Sequence, residues 1–593
     1  MPATVAGETR AGLPPLSHRW VARYPTEPDG GTLAALEQEL HLPPVLCRML
    51  AQRGLGDPAH ARQHLRPRLD ALHDPFRLAD MDRAVARIGR ALERGERILV
   101  HGDYDVDGIC CAALYTRVLR AIGGQVETFV PHRLTDGYDL SQAGVRRAAE
   151  CGAALILTGD CGIVAHDAVA AAAAVGVDVV VTDHHTPGGA LPAAAAVVNP
   201  NRPDCPYPEK GLAGAGVAYK VCQALAAAHG VAQEELRWHL DLVALATIAD
   251  LAPLSGENRV LAYYGMRVLQ QTRNLGLAAL TRTAGIDPEH GISVGQVSHV
   301  LAPRLNAVGR LGAAERGVRL LLAESVAEAE ALARESEEEN RARQCLDRDT
   351  LRAALADLEQ WYDPARDYGL VLAGEGWHPG VIGIVASRVV ERVHRPVVMV
   401  AVDRNAGRGR GSARSIPRFD LYAAIHSCGG LLERYGGHHQ AAGLDVRLDR
   451  LDEFRAAFND YARRTLTPAD LQPELKVDQE LALAVANQEL FALLRHFGPF
   501  GIGNPSPVFC SRGVRVLGYP REVGEGHIKL RLHQDGAELD AIGFRLAERL
   551  RELDVTRGPI DVAFQLQENY WNGRAELQAK LLDLRLAAGQ CVP

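Results

Sequence analysis

From residue 84 onward, short runs of apolar residues alternate with longer stretches in which apolar positions recur every three to four residues. The first kind reads as buried strand and the second as amphipathic helix. The pattern predicts helices over Ala84–Arg94, Gly108–Ile122, Ser141–Glu150 and His166–Val175. Between them it predicts strands over Arg97–His101, Gln125–Val130, Ala154–Leu157, Val177–Val181 and Ala196–Val198. Strands alternating with helices of this length are wound into a parallel sheet by crossovers. Residues 213–285 read as mainly helical, and a long helix is predicted over about 325–360. Eleven acidic residues against five basic ones in Leu321–Gln360 predict a solvated connecting helix. A second α/β pattern begins at Tyr368, with strands at Gly369–Ala373 and Val397–Val402. After Pro473, short strands at Val508–Val516, His527–His533, Leu539–Phe544, Ile560–Gln567 and Ala575–Leu584 predict a small β-barrel of the OB type. The chain is therefore expected to be α/β. Residues 1–80 form an N-terminal extension, 81–320 a parallel-sheet domain, 321–362 a connecting helix, 363–465 a second α/β domain and 474–588 the barrel.

Composition narrows the class. With 47% hydrophobic and 23% charged residues over 593 positions, the balance is that of a globular protein. No apolar run approaches the roughly 18 residues of a membrane span, and the N-terminus carries no apolar signal segment, so a cytoplasmic protein without membrane association is expected. Eleven cysteines without a C-x-x-C pair disfavour zinc ribbons and a disulfide framework. The net charge is −8, so any contact with nucleic acid must come from local basic patches.

The densest chemistry follows the predicted strands. Arg97–His101 runs into Gly102-Asp103-Tyr104-Asp105-Val106-Asp107-Gly108, Ala154–Leu157 into Thr158-Gly159-Asp160-Cys161-Gly162, and Val177–Val181 into Thr182-Asp183-His184-His185. In an open parallel sheet, ligands bind outside the carboxyl ends of the strands, so three strands deliver acids and imidazoles to one edge. Asp250, closing the apolar stretch Leu245-Ala246-Thr247-Ile248-Ala249, is a fourth candidate. So many carboxylates repel one another at short range unless cations share them. Mixed carboxylate and imidazole donors suit Mn²⁺ and Mg²⁺, and there are enough for two ions, the arrangement suited to displacement at phosphorus. An EF-hand reading of the Asp103 segment fails, because its twelfth position is Leu114 and a strand precedes it. No P-loop sequence occurs, so ATP dependence has no support.

The signature Asp183-His184-His185, with Gly102–Gly108 upstream, resembles the DHH phosphoesterase superfamily, and within it the single-strand-specific 5′→3′ DNA exonucleases of bacteria. The resemblance runs from about residue 80 to about 585. It includes Leu212–Ala218, Thr247–Asp250, Ala302–Arg310, Gly376–Gly383, Gly411–Ser415, Gly436–Gly443 and Pro499–Pro505. It implies a DHH-type catalytic domain, a DHH-associated substrate-binding domain and an OB-fold domain that binds nucleic acid. It further implies two Mn²⁺ or Mg²⁺ ions held by Asp103, Asp105, Asp107, Asp160, His184 and Asp250, with His101 an alternative to Asp103. Asp183 and His185 become the catalytic pair, His185 lying beside the scissile phosphate. Release of mononucleotides from single-stranded DNA in recombination and repair follows from the resemblance, as do a single-strand-binding protein and a helicase as partners. Gly159 departs from the valine expected there.

A polyphosphate substrate needs basic company. Eight arginines fall between Arg388 and Arg418 against Glu391 and Asp403, and Arg304, Arg310, Arg316 and Arg319 form a second group. Arginine forks bind phosphate oxygens. Arg304 and Arg310 are accordingly candidate substrate-binding residues, and the resemblance, through its motif Ala302–Arg310, implies Asn306 with them. In Arg408-Gly409-Arg410-Gly411-Ser412-Ala413-Arg414-Ser415 the small residues are expected to open the backbone to a phosphate, and Gly436-Gly437-His438 to form a second anion nest. Ser412, Arg414, Ser415 and His438 are the candidates there. Six of the eleven phenylalanines follow residue 490; Phe491, Phe497 and Phe544 are assigned mostly to barrel core, and Tyr570-Trp571, in a turn-like stretch, to base stacking.

Overall fold

The computed structural model describes residues 13, 16–132, 136–137, 139–311, 314–553, 558–571 and 574–587. The chain forms two compact units. One comprises residues 59–342 and 495–506, the other residues 1–58, 343–494 and 507–593.

The first unit is built on a five-stranded sheet. Its spatial order is Gln125–Phe129, Arg97–Gly102, Ala153–Gly159, Asp178–Thr182, Ala196–Val198, and every pairing is parallel. The strands are apolar on both faces because both are covered. Ile98, Val100, Leu155 and Val180 pack into a core with helices Met81–Arg94, Val106–Ala121 and Gly214–Ala228. Leu99, Ile156, Val179 and Val181 pack with helices Gln142–Glu150 and His166–Ala174 on the other face. Residues 213–285 are mainly helical, as their periodicity predicts, and helix Leu240–Ala249 is buried from Leu240 to Ile248. Gly159 has a local reason: a Cβ there would lie 2.5 Å from Cys111 Cβ, so a valine has no room.

The connecting helix spans Val326–Trp361 and is solvent-exposed over much of its length, with one face buried. Ala329, Leu332, Ala333, Ser336, Asn340, Asp347, Ala354 and Leu358 are buried at helical spacing. Its acids instead serve as partners for arginines: Glu337 for Arg304, Glu339 for Arg316, Glu328 for Arg319 and Glu330 for Arg282.

The second unit contains a five-stranded mixed sheet and a barrel. The sheet order is Leu432–Gly437, Ala441–Arg447, Arg408–Arg414, Val397–Asp403, Leu370–Glu375. Helix Ile382–Val393 covers one face and helix Leu451–Thr465 the other. The barrel strands are Phe509–Val523, His527–Gln534, Ala537–Gly543, Ile560–Trp571 and Arg574–Leu586, and pairing of Phe509–Val523 with Ile560–Trp571 closes it. Phe509 and Phe564 fill its interior. Two assignments made for the aromatics change. Phe544 is 47% exposed because it sits past a strand end, edge-on to His527, and Phe497 belongs to the first unit rather than to the barrel. The stretch assigned to a turn is strand through Trp571, and the side chains of Tyr570 and Trp571 lie outside the described residues. Residues 19–22 of the N-terminal region pair in parallel with Glu474–Val477.

Candidate metal centre

The sheet's carboxyl edge collects the acids as the strand pattern requires. Asp103 follows the strand Arg97–Gly102, and the chain turns at once into helix Val106–Ala121. Asp105 caps that helix, its Oδ1 accepting from the N–H groups of Asp107 at 3.0 Å and Gly108 at 3.2 Å. Gly108 is required there, since a Cβ would lie 2.3 Å from the Asp103 nitrogen. Asp107 is buried, and its two oxygens accept from Gly214 and Ala215 N–H, each at 2.7 Å, at the start of helix Gly214–Ala228. Asp160 stands one residue past its strand in a left-handed conformation (φ 66°), which aims it across the edge.

The two histidines differ in role. His184 Nε2 lies 3.0 Å from Asp160 Oδ1 and 3.8 Å from both Asp107 Oδ2 and Asp250 Oδ2. His185 Nδ1 lies 2.8 Å from Asp183 Oδ1 and 3.8 Å from Asp160 Oδ1. Asp183 turns away from the ligand cluster. It accepts from the backbone N–H of Ile163, His184 and His185, and so holds the turn that presents both imidazoles.

Three overlapping groups have donor atoms within 4.8 Å of one another: Asp103–Asp105–Asp160, Asp107–His184–Asp250 and Asp160–His184–His185. They unite all six residues implied as ligands, and His101 is in none of them. His101 is buried with Nδ1 3.5 Å from Cys161 Sγ, its ring packed where a Cβ on Gly144 would be 2.6 Å away, and its Nε2 also has no hydrogen-bond partner among the described residues. Two unit charges 4 Å apart in a site of effective dielectric about 20 repel by about 4 kcal/mol. The protonation pattern reflects this crowding. Burial and then the Asp105 charge raise Asp103 to about 8, and burial and then Asp107 raise Asp250 to about 8. Burial and Asp107 push Asp160 well above the carboxylate range. Burial would lower His185, but its hydrogen bond to Asp183 and that carboxylate's charge prevail and lift it to about 9.

The donor set fits divalent cations on a second ground. Asp103 Oδ1, Asp160 Oδ1 and His184 Nε2 are buried without a hydrogen bond among the described residues; the last two lie 3.0 Å apart but are not aligned as one. Buried polar atoms are otherwise nearly always paired, and three such atoms in one cluster are what metal ligands look like without their ion.

Other residues belong here that the sequence reading passed over. Asp139 (φ 74°) accepts from Leu140 and Gly162 N–H beside the cluster, and burial raises its carboxyl. Asn199 and Asn201 donate to the carbonyls of His185 (2.9 Å) and His184 (2.6 Å). Asn199 directly follows the strand Ala196–Val198, so the pattern that marks Asp103 and Asp160 also marks it; Asp139 lies ten residues past its strand and no local pattern marks it.

The candidate substrate residues take two forms. In the first unit, Asn306 Oδ1 accepts from Val106 N–H at 3.2 Å, bracing the metal-site turn, and Arg304 is held by Glu337 and the Val300 carbonyl. The Arg310 side chain lies outside the described residues. In the second unit the glycine-rich segment is not a loop: Arg408–Arg414 is an inner strand whose backbone is paired on both sides. The anion-nest reading is thereby corrected, and only side chains there are available to a phosphate. Gly436-Gly437 differ, since they lie on the edge strand and pair on one side only, with Ala442–Gly443; a Cβ at Gly437 would lie 2.5 Å from the Ala441 carbonyl oxygen. Arg414 and the hairpin bearing His438 still meet at one sheet end, with Arg414 opposite Ala441 and Ser415 N–H bonded to the Gln440 carbonyl. The Ser415 hydroxyl donates to the Phe419 carbonyl, while Ser412 Oγ accepts from Arg414. Most of the surrounding arginines are engaged: Arg388 with Asp347, Arg404 with Glu375, Arg410 with Asp445, Arg418 with Asp470, and Arg395 is buried on backbone carbonyls.

Three family descriptions match the chain: the DHH family N-terminal domain over residues 97–247, the DHHA1 domain over 367–464, and the RecJ OB domain over 477–583. The single-stranded-DNA-specific exonuclease RecJ of Bacillus subtilis is 36% identical over 95% of this chain and 70% of its own length. The Escherichia coli protein of that name is 36% identical over 91% of this chain and 95% of its own. The crystal structure of RecJ from Thermus thermophilus in complex with Mn²⁺ superposes with a TM-score of 0.80 at 33% identity, covering 97% of this chain and 81% of that one; a Mg²⁺ complex gives 0.75. With two of its own domains matched to the DHH phosphoesterases and its third to the barrel named for these enzymes, the chain belongs to the RecJ family.

Proposed function

We propose that this protein is a metal-dependent exonuclease that degrades single-stranded DNA from the 5′ end and releases mononucleotides. The observation that carries the reading is the trio of orphaned buried donors, Asp103 Oδ1, Asp160 Oδ1 and His184 Nε2, within a ring of carboxylates. When bound, two Mn²⁺ or Mg²⁺ ions lower the pKa of an attacking water and neutralise charge that builds at phosphorus. Asp103, Asp105, Asp107, Asp160, His184 and Asp250 hold the ions. Asp183 keeps the His185 imidazole protonated and oriented, so that His185 donates to a phosphate oxygen or the leaving group. Arg304, Asn306, Arg310, Ser412, Arg414, Ser415 and His438 are assigned to the substrate, and the barrel to the strand beyond it. The catalytic domain is taken as 81–320, the connector as 321–362, the substrate domain as 363–465 and the OB domain as 474–588. DNA recombination and repair in the cytoplasm is the setting that fits, with a single-strand-binding protein and a helicase as partners. No helix among the described residues is long and apolar enough to cross a membrane.

The test is Asp160→Ala and His184→Ala, made separately and assayed for Mn²⁺-dependent nucleotide release from labelled single strands. Turnover is expected to fall by more than about 100-fold, beyond the loss of an outer-shell partner. Retained turnover in both variants overturns the metal assignment, and release that a 5′ block leaves intact overturns the polarity.

A further inference from the structure

The segment Pro499–Pro505 was singled out by resemblance, yet the reading above gives it no task. It lies between Leu494 and Pro507, both in the second unit, but residues 495–506 belong to the catalytic one. There the segment is tied to the loop that follows Asp250. Leu254 N–H donates to the Ile502 carbonyl at 2.6 Å. A Cβ on Gly501 would lie 2.7 Å from Leu254 Cδ1, and one on Gly503 (φ 74°) 3.0 Å from Pro253 Cβ. Pro253 is gripped from the other side as well, since a Cβ on Gly211 would lie 2.7 Å from its Cγ. Gly211 leads into Gly214 and Ala215, whose N–H groups hold Asp107.

The segment is itself braced. Asn504, 3% exposed, donates to the carbonyls of Phe497 at 2.8 Å and Pro499 at 2.9 Å. Buried Arg259 donates to the carbonyls of Phe497 and His496, at 2.9 and 3.0 Å, and to that of His64. Two buried side chains with fixed geometry are thus spent on a tight turn whose outer contacts are Pro253 and Leu254.

Asp250 needs such support. It ends a helix rather than a strand, and Leu251, the residue after it, is in the left-handed conformation (φ 60°) with its side chain exposed. That conformation closes the helix C-cap, in which Leu251 N–H donates to the Ile248 carbonyl and Ala252 N–H to the Thr247 carbonyl. The cap reaches only to Ala252, and the chain beyond it, Pro253 and Leu254, is held by its contacts with Gly501, Ile502 and Gly503.

We infer that Phe497–Pro505 is a positioning strap for Asp250: it clamps Pro253 and Leu254, and through them sets one of the two metal positions, the one shared by Asp107, His184 and Asp250. The strap touches neither ion nor substrate. This inference rests on the metal reading above and adds that a segment from the C-terminal part of the chain completes the ion site.

The experiment is a Mn²⁺ titration of the full-length protein followed by electron paramagnetic resonance, with Asn504→Ala and Gly503→Ala as independent strap variants. The wild type is expected to bind two ions. Each variant is expected to bind one with unchanged affinity and the other at least tenfold more weakly. Combined with Asp250→Ala, the strap change should add nothing further; combined with Asp103→Ala, its effect should add in full. Wild-type affinity for both ions in both variants, equal weakening of both ions, or additivity with Asp250→Ala overturns the strap. A wild-type chain that binds no Mn²⁺ overturns instead the metal reading on which it stands.

Discussion

Asp103 and Asp250 carry the strongest pH signature at the scale of single residues. Each has a folded pKa of about 8, raised first by burial and then by a neighbouring carboxylate, against an ordinary value of 3.8. A raised folded pKa means that the fold holds the proton more tightly than the unfolded chain does. The stability these groups contribute is fully present below about pH 4 and is lost as pH rises through about 8. Mn²⁺ competes with those protons for the same oxygens. Its affinity is therefore expected to rise between pH 6 and 8 by about tenfold per pH unit for each proton displaced, read by calorimetric titration in buffers of differing ionisation heat. A flat profile without proton release would mean that these carboxyls are already ionised. At this scale the ligands were legible because acids directly after apolar strands have one edge to occupy. Asp183 was legible as a participant, but its part was not. Only the bonds from Ile163, His184 and His185 to its oxygens show that it orients the turn.

Among the elements, the strands of the parallel sheet, two of the five in the mixed sheet and those of the barrel lie where periodicity places them, although the first barrel strand runs on to Val523. The errors share one cause. Arg408–Arg414 alternates arginine with glycine and small residues, a composition that imitates an anion-binding loop. Its glycines are small because Val400 and Leu444 cross above Gly409 and Gly411, a requirement set by partners distant in sequence. The connecting helix is solvated on one face, but its buried face and the arginine partners of Glu337 and Glu339 depend on folding. The barrel supports a prediction of its own. Tyr519 lies at the register shift of strand Phe509–Val523 and is 89% exposed. An aromatic displayed there is placed to stack on a base, and Tyr519→Ala is expected to weaken binding of a single-stranded oligonucleotide by about 1–3 kcal/mol. Fluorescence anisotropy checks this, with Mn²⁺ affinity unchanged; an equal loss on both measures would point to a folding defect.

For the whole molecule, the division into two units has a thermal consequence. The ligand set lies entirely within the unit of residues 59–342 and 495–506, and each unit has its own apolar core. Scanning calorimetry of the metal-stripped protein is expected to show two transitions. Mn²⁺ at 100 times its Kd should stabilise only one, by about 2.7 kcal/mol for each ion bound. A single transition that moves as a whole would show that the units unfold together.

Sequence alone determined the order of helices and strands, the edge at which the acids gather, and the kind of cation they need. These depend on local periodicity and on the direction of a parallel strand, and both are written within a few consecutive residues. Tertiary structure decided which arginines are already neutralised, which glycines make room for a neighbour, and that residues 495–506 join the catalytic unit. Those outcomes depend on contacts between residues tens to hundreds of positions apart, and no local pattern encodes such a contact.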